Sequence, residues 1–214
     1  YVIWSFAGAR QQGKIRFCCI ASNSSGTYNR VMPWDYNGFS KAVYTMDDTS
    51  GVWVNRSTGI NFNSDFIMYA GMAANDIDVI YLGGHDDGLS APLVIRSVDG
   101  GKLWEKVFNT SNNANIVTAW EGYQGDKNWS WSETCFGIAV APNNSNKLMF
   151  PTYSNVQLSE DGGKTWRQAY VDPRDEHPAG APTPKNKSYR SIGLENTTCW
   201  QVFWQDANTM MACY

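Results

Sequence analysis

Hydrophobic positions along this chain come in short runs in which β-branched and aromatic side chains alternate with polar ones, separated by clusters of Gly, Asn, Asp and Ser. Period-two patterning of this kind, broken by turn residues, predicts strands; no stretch sustains the 3.6-residue period of an amphipathic helix. Strands are expected at 1–6, 14–20, 41–46 and 51–54, and again near 67–72, 79–82, 92–96 and 104–108. A third set is expected between about 133 and 170, and a fourth begins near 191 and ends after its first two strands, in Trp200–Tyr214. The chain reads as all-β.

One kind of break recurs. Ser159-Glu160-Asp161-Gly162-Gly163-Lys164-Thr165-Trp166 has a looser copy 62 residues upstream, Ser97-Val98-Asp99-Gly100-Gly101-Lys102-Leu103-Trp104. A serine and an aspartate can fold back onto backbone N–H groups, two glycines can supply positive φ, and the tryptophan opens the next strand, so each copy reads as a tight corner between two strands. Two copies at a blade-sized interval make a repeat. Ser57–Phe62, without an aspartate and with Phe62 in place of Trp, reads as a worn third copy.

The spacing of Ser97, Asp99, Gly101 and Trp104, and of Ser159, Asp161, Gly163, Thr165 and Trp166, resembles the Asp box of the BNR-repeat β-propellers. That superfamily includes sialidases, xyloglucanase-type glycoside hydrolases, sortilin-like receptors and non-catalytic secreted repeat proteins. The first copy departs from the pattern at Leu103, where the family has Thr. The resemblance implies a propeller of four-stranded antiparallel blades with the boxes as structural corners, on the face away from any ligand. At roughly 40 to 60 residues per blade, 214 residues hold about three and a half blades, fewer than the roughly four to eight of closed propellers. The expectation is a single partial propeller over 1–214, with blades at about 1–64, 65–118 and 119–190 and an incomplete one at 191–214, completed by further blades or by another chain.

A formal net charge of −3 with scattered charges leaves no basic stripe for a phosphate backbone, so nucleic acid is not expected as a partner. No apolar run is long enough to span a membrane. Asn-x-Ser/Thr sequons at Asn23, Asn55, Asn109, Asn128, Asn143, Asn186 and Asn196 are denser than chance and point to an extracellular, secreted glycoprotein. The five cysteines, Cys18, Cys19, Cys135, Cys199 and Cys213, fit an oxidising compartment. Cys135 and Cys199 hold similar places in successive blades, either as a bridge or as small buried apolar residues. With no CxxC or Cys/His cluster, neither a metal nor another cofactor is expected.

Two long connections, about 109–132 and 171–192, exceed ordinary loop lengths, and the second is rich in proline. Blade geometry sends them and the Gly83–Gly88 turn to the face opposite the boxes. His85, Asp86, Asp87, Trp120, Tyr123, Trp129 and Trp131 are therefore the expected glycan-binding set, since an aromatic plane beside carboxylates suits a pyranose. The plainer alternatives are a solvated turn for His85–Asp87 and packing between blades for the tryptophans. A glycosidase needs two carboxylates across a bond, and Asp86 or Asp87 with Asp175 or Glu176 are the candidates. Arg10, Arg16, Arg30, Arg96 and Arg190 lie in no motif matching the sialidase arginine cluster, so the resemblance carries over no catalytic residue.

The sequence thus favours a secreted, N-glycosylated, non-catalytic propeller module with a structural, adhesive or glycan-binding role. Its expected partners are carbohydrate, other extracellular glycoproteins, copies of itself or further blades. The alternative is a secreted glycoside hydrolase of the Asp-box type.

Overall fold

The structure, a computed structural model, describes residues 2–23, 38–117, 129, 132–153, 155–181, 190–192 and 201–213. Among the described residues, all regular structure is strand apart from a 3-10 turn at Pro173–Asp175. The first sheet holds β1 (Val2–Gln11), β2 (Lys14–Ser22), β3 (Ser40–Asp47) and β4 (Trp53–Asn55). The second holds β5 (Asp65–Gly71), β6 (Ile80–Asp86), β7 (Ala91–Ser97) and β8 (Glu105–Lys106). The third holds β9 (Ala139–Ala141), β10 (Asn144–Pro151), β11 (Val156–Ser159) and β12 (Arg167–Gln168), and the last pairs β13 (Gln201–Trp204) with β14 (Met210–Cys213). Each is an antiparallel meander in chain order.

The period of two explains the sheets; their packing follows from which face each residue takes. Cys18, Ile20 and Val43 of the first sheet meet Ile67, Ile80, Leu82 and Ile95 of the second, with Trp104 against the same cluster. The opposite face of the second sheet, through Tyr81 and Val94, meets Val140, Leu148, Phe150 and Trp166. The third then turns Met149 and Leu158 toward Val202. Every core cluster between sheets therefore joins neighbours in sequence, the packing of propeller blades, and the sheets are not closed into a ring.

Polar latches repeat beside these clusters. Arg16 Nη1 donates to the Ile77 carbonyl (3.2 Å), the Tyr81 hydroxyl to Ser145 (2.8 Å) and Lys147 Nζ to Ala207 (3.2 Å). Each time, the second strand of one sheet reaches the first hairpin of the next.

Some expected boundaries shift. Ser57–Phe62 is not a strand corner: β3 ends at Asp47 and β4 starts at Trp53, so the corner of the first sheet is the intervening turn, and Ser57–Phe62 is the link between sheets. The sequence reading failed there because this corner lacks the Ser-x-Asp-Gly-Gly signature. The third set of strands, expected from about 133, starts at Ala139; before it, the Cys135 N–H donates to the Gly84 carbonyl (2.9 Å). Cys135 is a free, buried thiol donating to the Gly137 carbonyl (2.8 Å), so it has the packing role and not the disulfide; Cys199 lies outside the described residues.

Candidate functional site

The two recurrent corners share one hydrogen-bond pattern. Ser97 Oγ donates to Asp99 Oδ1 (2.8 Å) and accepts from Gly101 N–H (2.8 Å); Ser159 Oγ donates to Asp161 Oδ1 (2.9 Å) and accepts from Gly163 N–H (2.8 Å). Asp99 Oδ1 also accepts from Leu103 N–H (3.0 Å), as Asp161 Oδ1 does from Thr165 N–H (2.9 Å). Thr165 adds a hydroxyl bond to Asp161 Oδ2 (2.6 Å), which Leu103, 71% exposed, cannot make. Only the backbone N–H is common to both, which explains why leucine is tolerated.

Each corner fastens its sheet to the preceding one. Trp104 Nε1 donates to the Arg56 carbonyl (2.7 Å) and Trp166 Nε1 to the Val107 carbonyl (2.9 Å), in both cases just past the last strand of the previous sheet. Gly100 donates to Asp78 (2.9 Å) and Gly162 to Asn146 (2.8 Å). Their φ values, +74° and +77°, strain any residue with a Cβ, and the guanidinium groups of Arg16 and Arg96 lie where that Cβ would go.

The face opposite these corners holds the candidate chemistry. Gly83 and Gly84 in β6 let neighbouring chain approach: a Cβ on Gly84 would lie 2.0 Å from the Phe66 carbonyl, and one on Gly83 would lie 2.7 Å from Cys135 Sγ. This draws the segment around Glu133 onto the end of β6. His85 is buried there, stacked on Phe66, with Nδ1 against the Glu133 carbonyl; a carbonyl only accepts, so Nδ1 carries the proton. Beside it, Asp86 and Asp65 stand opposite each other across β5 and β6, both buried, and Lys106 bridges them at 2.8 and 2.9 Å. Burial works to lower the Lys106 pKa, but hydrogen bonds to Asp86 and Asp65 outweigh it and leave the pKa above its usual value. Asp65 and Lys106 were missed in the sequence, because strand register brings Asp65 to Asp86 and the long Lys106 side chain reaches both only in the folded sheet.

The remaining candidates that are described do not join this cluster. Asp87 is exposed, with its backbone N–H on the Ser64 carbonyl (3.0 Å). Trp129 is 4% exposed and packs edge-on to Phe108 at 5.3 Å, so it is a core residue. Trp120, Tyr123 and Trp131 lie outside the described residues, as do Asn128, Asn186 and Asn196. Asp175 is held by Arg190 through two guanidinium contacts (2.6 and 3.0 Å). Glu176 lies 3.9 Å from Arg167, and its pKa is raised because burial outweighs that cation. Burial likewise raises the pKa of Glu133. Asn55, Asn109 and Asn143 are exposed, whereas Asn23 is half-buried with Nδ2 on the Gly38 carbonyl (3.3 Å). Among the described residues, no group of three or more His, Cys, Asp and Glu side chains is placed to hold a metal ion.

No protein-family model and no curated protein sequence matches the chain. Among solved structures it is similar to a GH74 enzyme of Niastella koreensis, with 18% identity and a TM-score of 0.47 over 86% of this chain and 22% of that one. It is also similar to the GH74 xyloglucanase of Xanthomonas campestris, with 15% identity and a TM-score of 0.44 over 77% of this chain and 20% of that one. A third similar structure is YCF48 bound to D1 peptide, with 8% identity and a TM-score of 0.43 over 99% of this chain and 62% of that one. The chain spans less than a quarter of either GH74 protein. The fold assignment rests on the chain's own sheets and their packing.

Proposed function

We propose that this chain is a secreted, N-glycosylated propeller module without catalytic activity, serving a structural or adhesive role and presenting carbohydrate-facing loops opposite its corners. The observation that carries the reading is the state of the carboxylates. Asp86 and Asp65 are bound to one ammonium, and Asp175 to a guanidinium, so each of them is occupied in holding the fold. The exposed sequon asparagines Asn55, Asn109 and Asn143 support the glycoprotein half of the proposal. Asp87 remains as a solvent-facing carboxylate for sugar hydroxyls.

Peptide mapping of the chain expressed in a glycosylating secretory host, with and without enzymatic glycan removal, tests the first half. Occupancy at Asn55, Asn109 and Asn143 is expected, and bare asparagines at all three overturn it. A glycan array tests the second. Binding weakened by Asp87→Asn supports a sugar-facing loop, and no binding to any glycan leaves only the structural role.

Glycoside hydrolysis is a second reading, favoured by the burial of the Glu176 carboxyl, which raises its pKa in the direction a general acid requires. Release of reducing sugar from β-glucans or sialosides, abolished by Glu176→Gln, would replace the first reading with this one.

A further inference from the structure

We infer that Asp87 is a site of spontaneous isomerisation to isoaspartate through its bond to Gly88, and that the fold protects the same dipeptide in the two recurrent corners. This goes beyond the function proposed above and does not depend on it. The chain contains three Asp–Gly dipeptides, Asp87–Gly88, Asp99–Gly100 and Asp161–Gly162. Their covalent chemistry is the same: the backbone nitrogen of glycine, which no Cβ of its own residue screens, can attack the aspartyl Cγ. An N–Cγ bond forms, the amide hydrogen leaves with the carboxyl OH as water, and a five-membered succinimide remains. Water then reopens the ring. Addition at the side-chain carbonyl returns aspartate, whereas addition at the main-chain carbonyl leaves the backbone running through Cγ, with the former main-chain carboxyl as the side group. The cycle consumes no oxidant or cofactor, and the mass of the chain is unchanged.

What differs among the three is the local fold. Ring closure needs a glycine nitrogen that can turn toward Cγ, and a carboxyl that can take a proton, because a carboxylate anion resists a nucleophile. Both corners withhold the two conditions. The Gly100 N–H donates to the Asp78 carbonyl (2.9 Å) and the Gly162 N–H to the Asn146 carbonyl (2.8 Å). Asp99 Oδ1 accepts from the Ser97 hydroxyl (2.8 Å) and from the N–H groups of Lys102 and Leu103 (2.9 and 3.0 Å). Asp161 accepts from the Ser159 hydroxyl (2.9 Å) and from the N–H and hydroxyl of Thr165 (2.9 and 2.6 Å). Burial works to raise the pKa of each carboxyl, but these bonds outweigh it and leave both below their usual value, so both stay ionised.

Asp87–Gly88 has none of these restraints. Both residues are exposed in the turn that joins β6 to β7. The turn is pinned on either side: the Asp87 N–H donates to the Ser64 carbonyl (3.0 Å), and the Leu89 N–H to the Asp86 carbonyl (3.3 Å) and to Asp86 Oδ1 (3.2 Å). Between these points the Gly88 N–H and the Asp87 carboxylate have no hydrogen-bond or ionic partner among the described residues. Exposed turns of this kind open at little free-energy cost, which lets the glycine nitrogen reach Cγ. The product adds one backbone atom to the turn next to Asp86, whose carboxylate holds Lys106 at 2.8 Å. Asn37, which precedes Gly38 and would close the same ring with loss of ammonia, lies outside the described residues.

Prolonged incubation of the folded full chain in neutral buffer tests this. Digestion and electron-transfer fragmentation of the peptides that cover the three sites then distinguish isoaspartate from aspartate at equal mass. Isoaspartate is expected to accumulate at Asp87 and to stay at its starting level at Asp99 and Asp161. In a chain kept unfolded in guanidinium all three should isomerise, because the restraints on the corners are gone. Gly88→Ala should slow the reaction at Asp87 several-fold; a Cβ there would meet Asp86 Oδ1 at 3.5 Å, an ordinary contact, so the turn accommodates it. An Asp87 that stays intact in the folded chain while it reacts in the unfolded one overturns the inference, as does a rate at Asp87 that Gly88→Ala leaves unchanged. Isomerisation of Asp99 or Asp161 in the folded chain as fast as that of Asp87, or their inertness in the unfolded chain, refutes protection by the corners.

Discussion

Asp161 shows how one carboxylate can hold a corner. Burial works to raise its pKa, while hydrogen bonds from the Thr165 hydroxyl and N–H and from Ser159 outweigh it, so the pKa lies below the usual carboxylate value. Asp99 is lowered by the same balance, with the Leu103 N–H opposing burial. A depressed carboxylate contributes stability that is present above its unfolded-state pKa and lost as pH falls through its folded-state pKa. Asp161→Asn is therefore expected to lower the melting temperature at neutral pH and much less at the acid end, with thermal melts over pH as the measurement. Lys106 gives the opposite case. Lys106→Met leaves Asp65 and Asp86 facing each other, buried, without their cation. The expected loss is about 3 kcal/mol at neutral pH, the low end for a broken buried pair because the ammonium is half exposed. Denaturant melts at neutral pH check this. The serine, aspartate and glycines of the corners were legible in the sequence because their bonds are local; the Asp65–Lys106–Asp86 set was not, since its members lie on three strands far apart in the chain.

At the scale of elements, β6 is set by two absent side chains. Gly84→Ala would drive a Cβ into the Phe66 carbonyl, 2.0 Å away on the adjacent strand, where backbone cannot yield as a flexible side chain would. A loss of about 1–3 kcal/mol is expected by chemical denaturation, with displaced backbone resonances for β5 and for the chain at Cys135. The corner tryptophans act between elements. Trp166 is fully buried among Phe108, Phe150 and Val107, and Trp166→Ala is expected to cost about 3–5 kcal/mol, measured by the same method. The third and fourth strands of the second and third sheets could be placed from sequence because a tryptophan announces them. The corner of the first sheet could not, since Asp47 to Trp53 makes its turn without the serine–aspartate–glycine pattern. Cys135–Ile138 has strand composition, yet only Ala139–Ala141 finds a paired neighbour in β10.

At the scale of the whole molecule, each sheet leans on its sequence neighbours, so stability is distributed as in a linear array. The second sheet is packed on both faces, while the first and last each leave one face to solvent. Hydrogen exchange followed by mass spectrometry should find the slowest amides in β6 and β7 and faster exchange in β1 and β13–β14; uniform protection would contradict a linear array. The sequence by itself determined the all-β class, the two corners and the four-sheet order, because alternation and turn chemistry act within a few residues. Only the tertiary structure decided that His85 and Asp86 are buried and partnered and that Trp129 belongs to the core. Those outcomes depend on which strand lies opposite and which sheet lies behind, and contacts between residues distant along the chain leave no periodic trace in it.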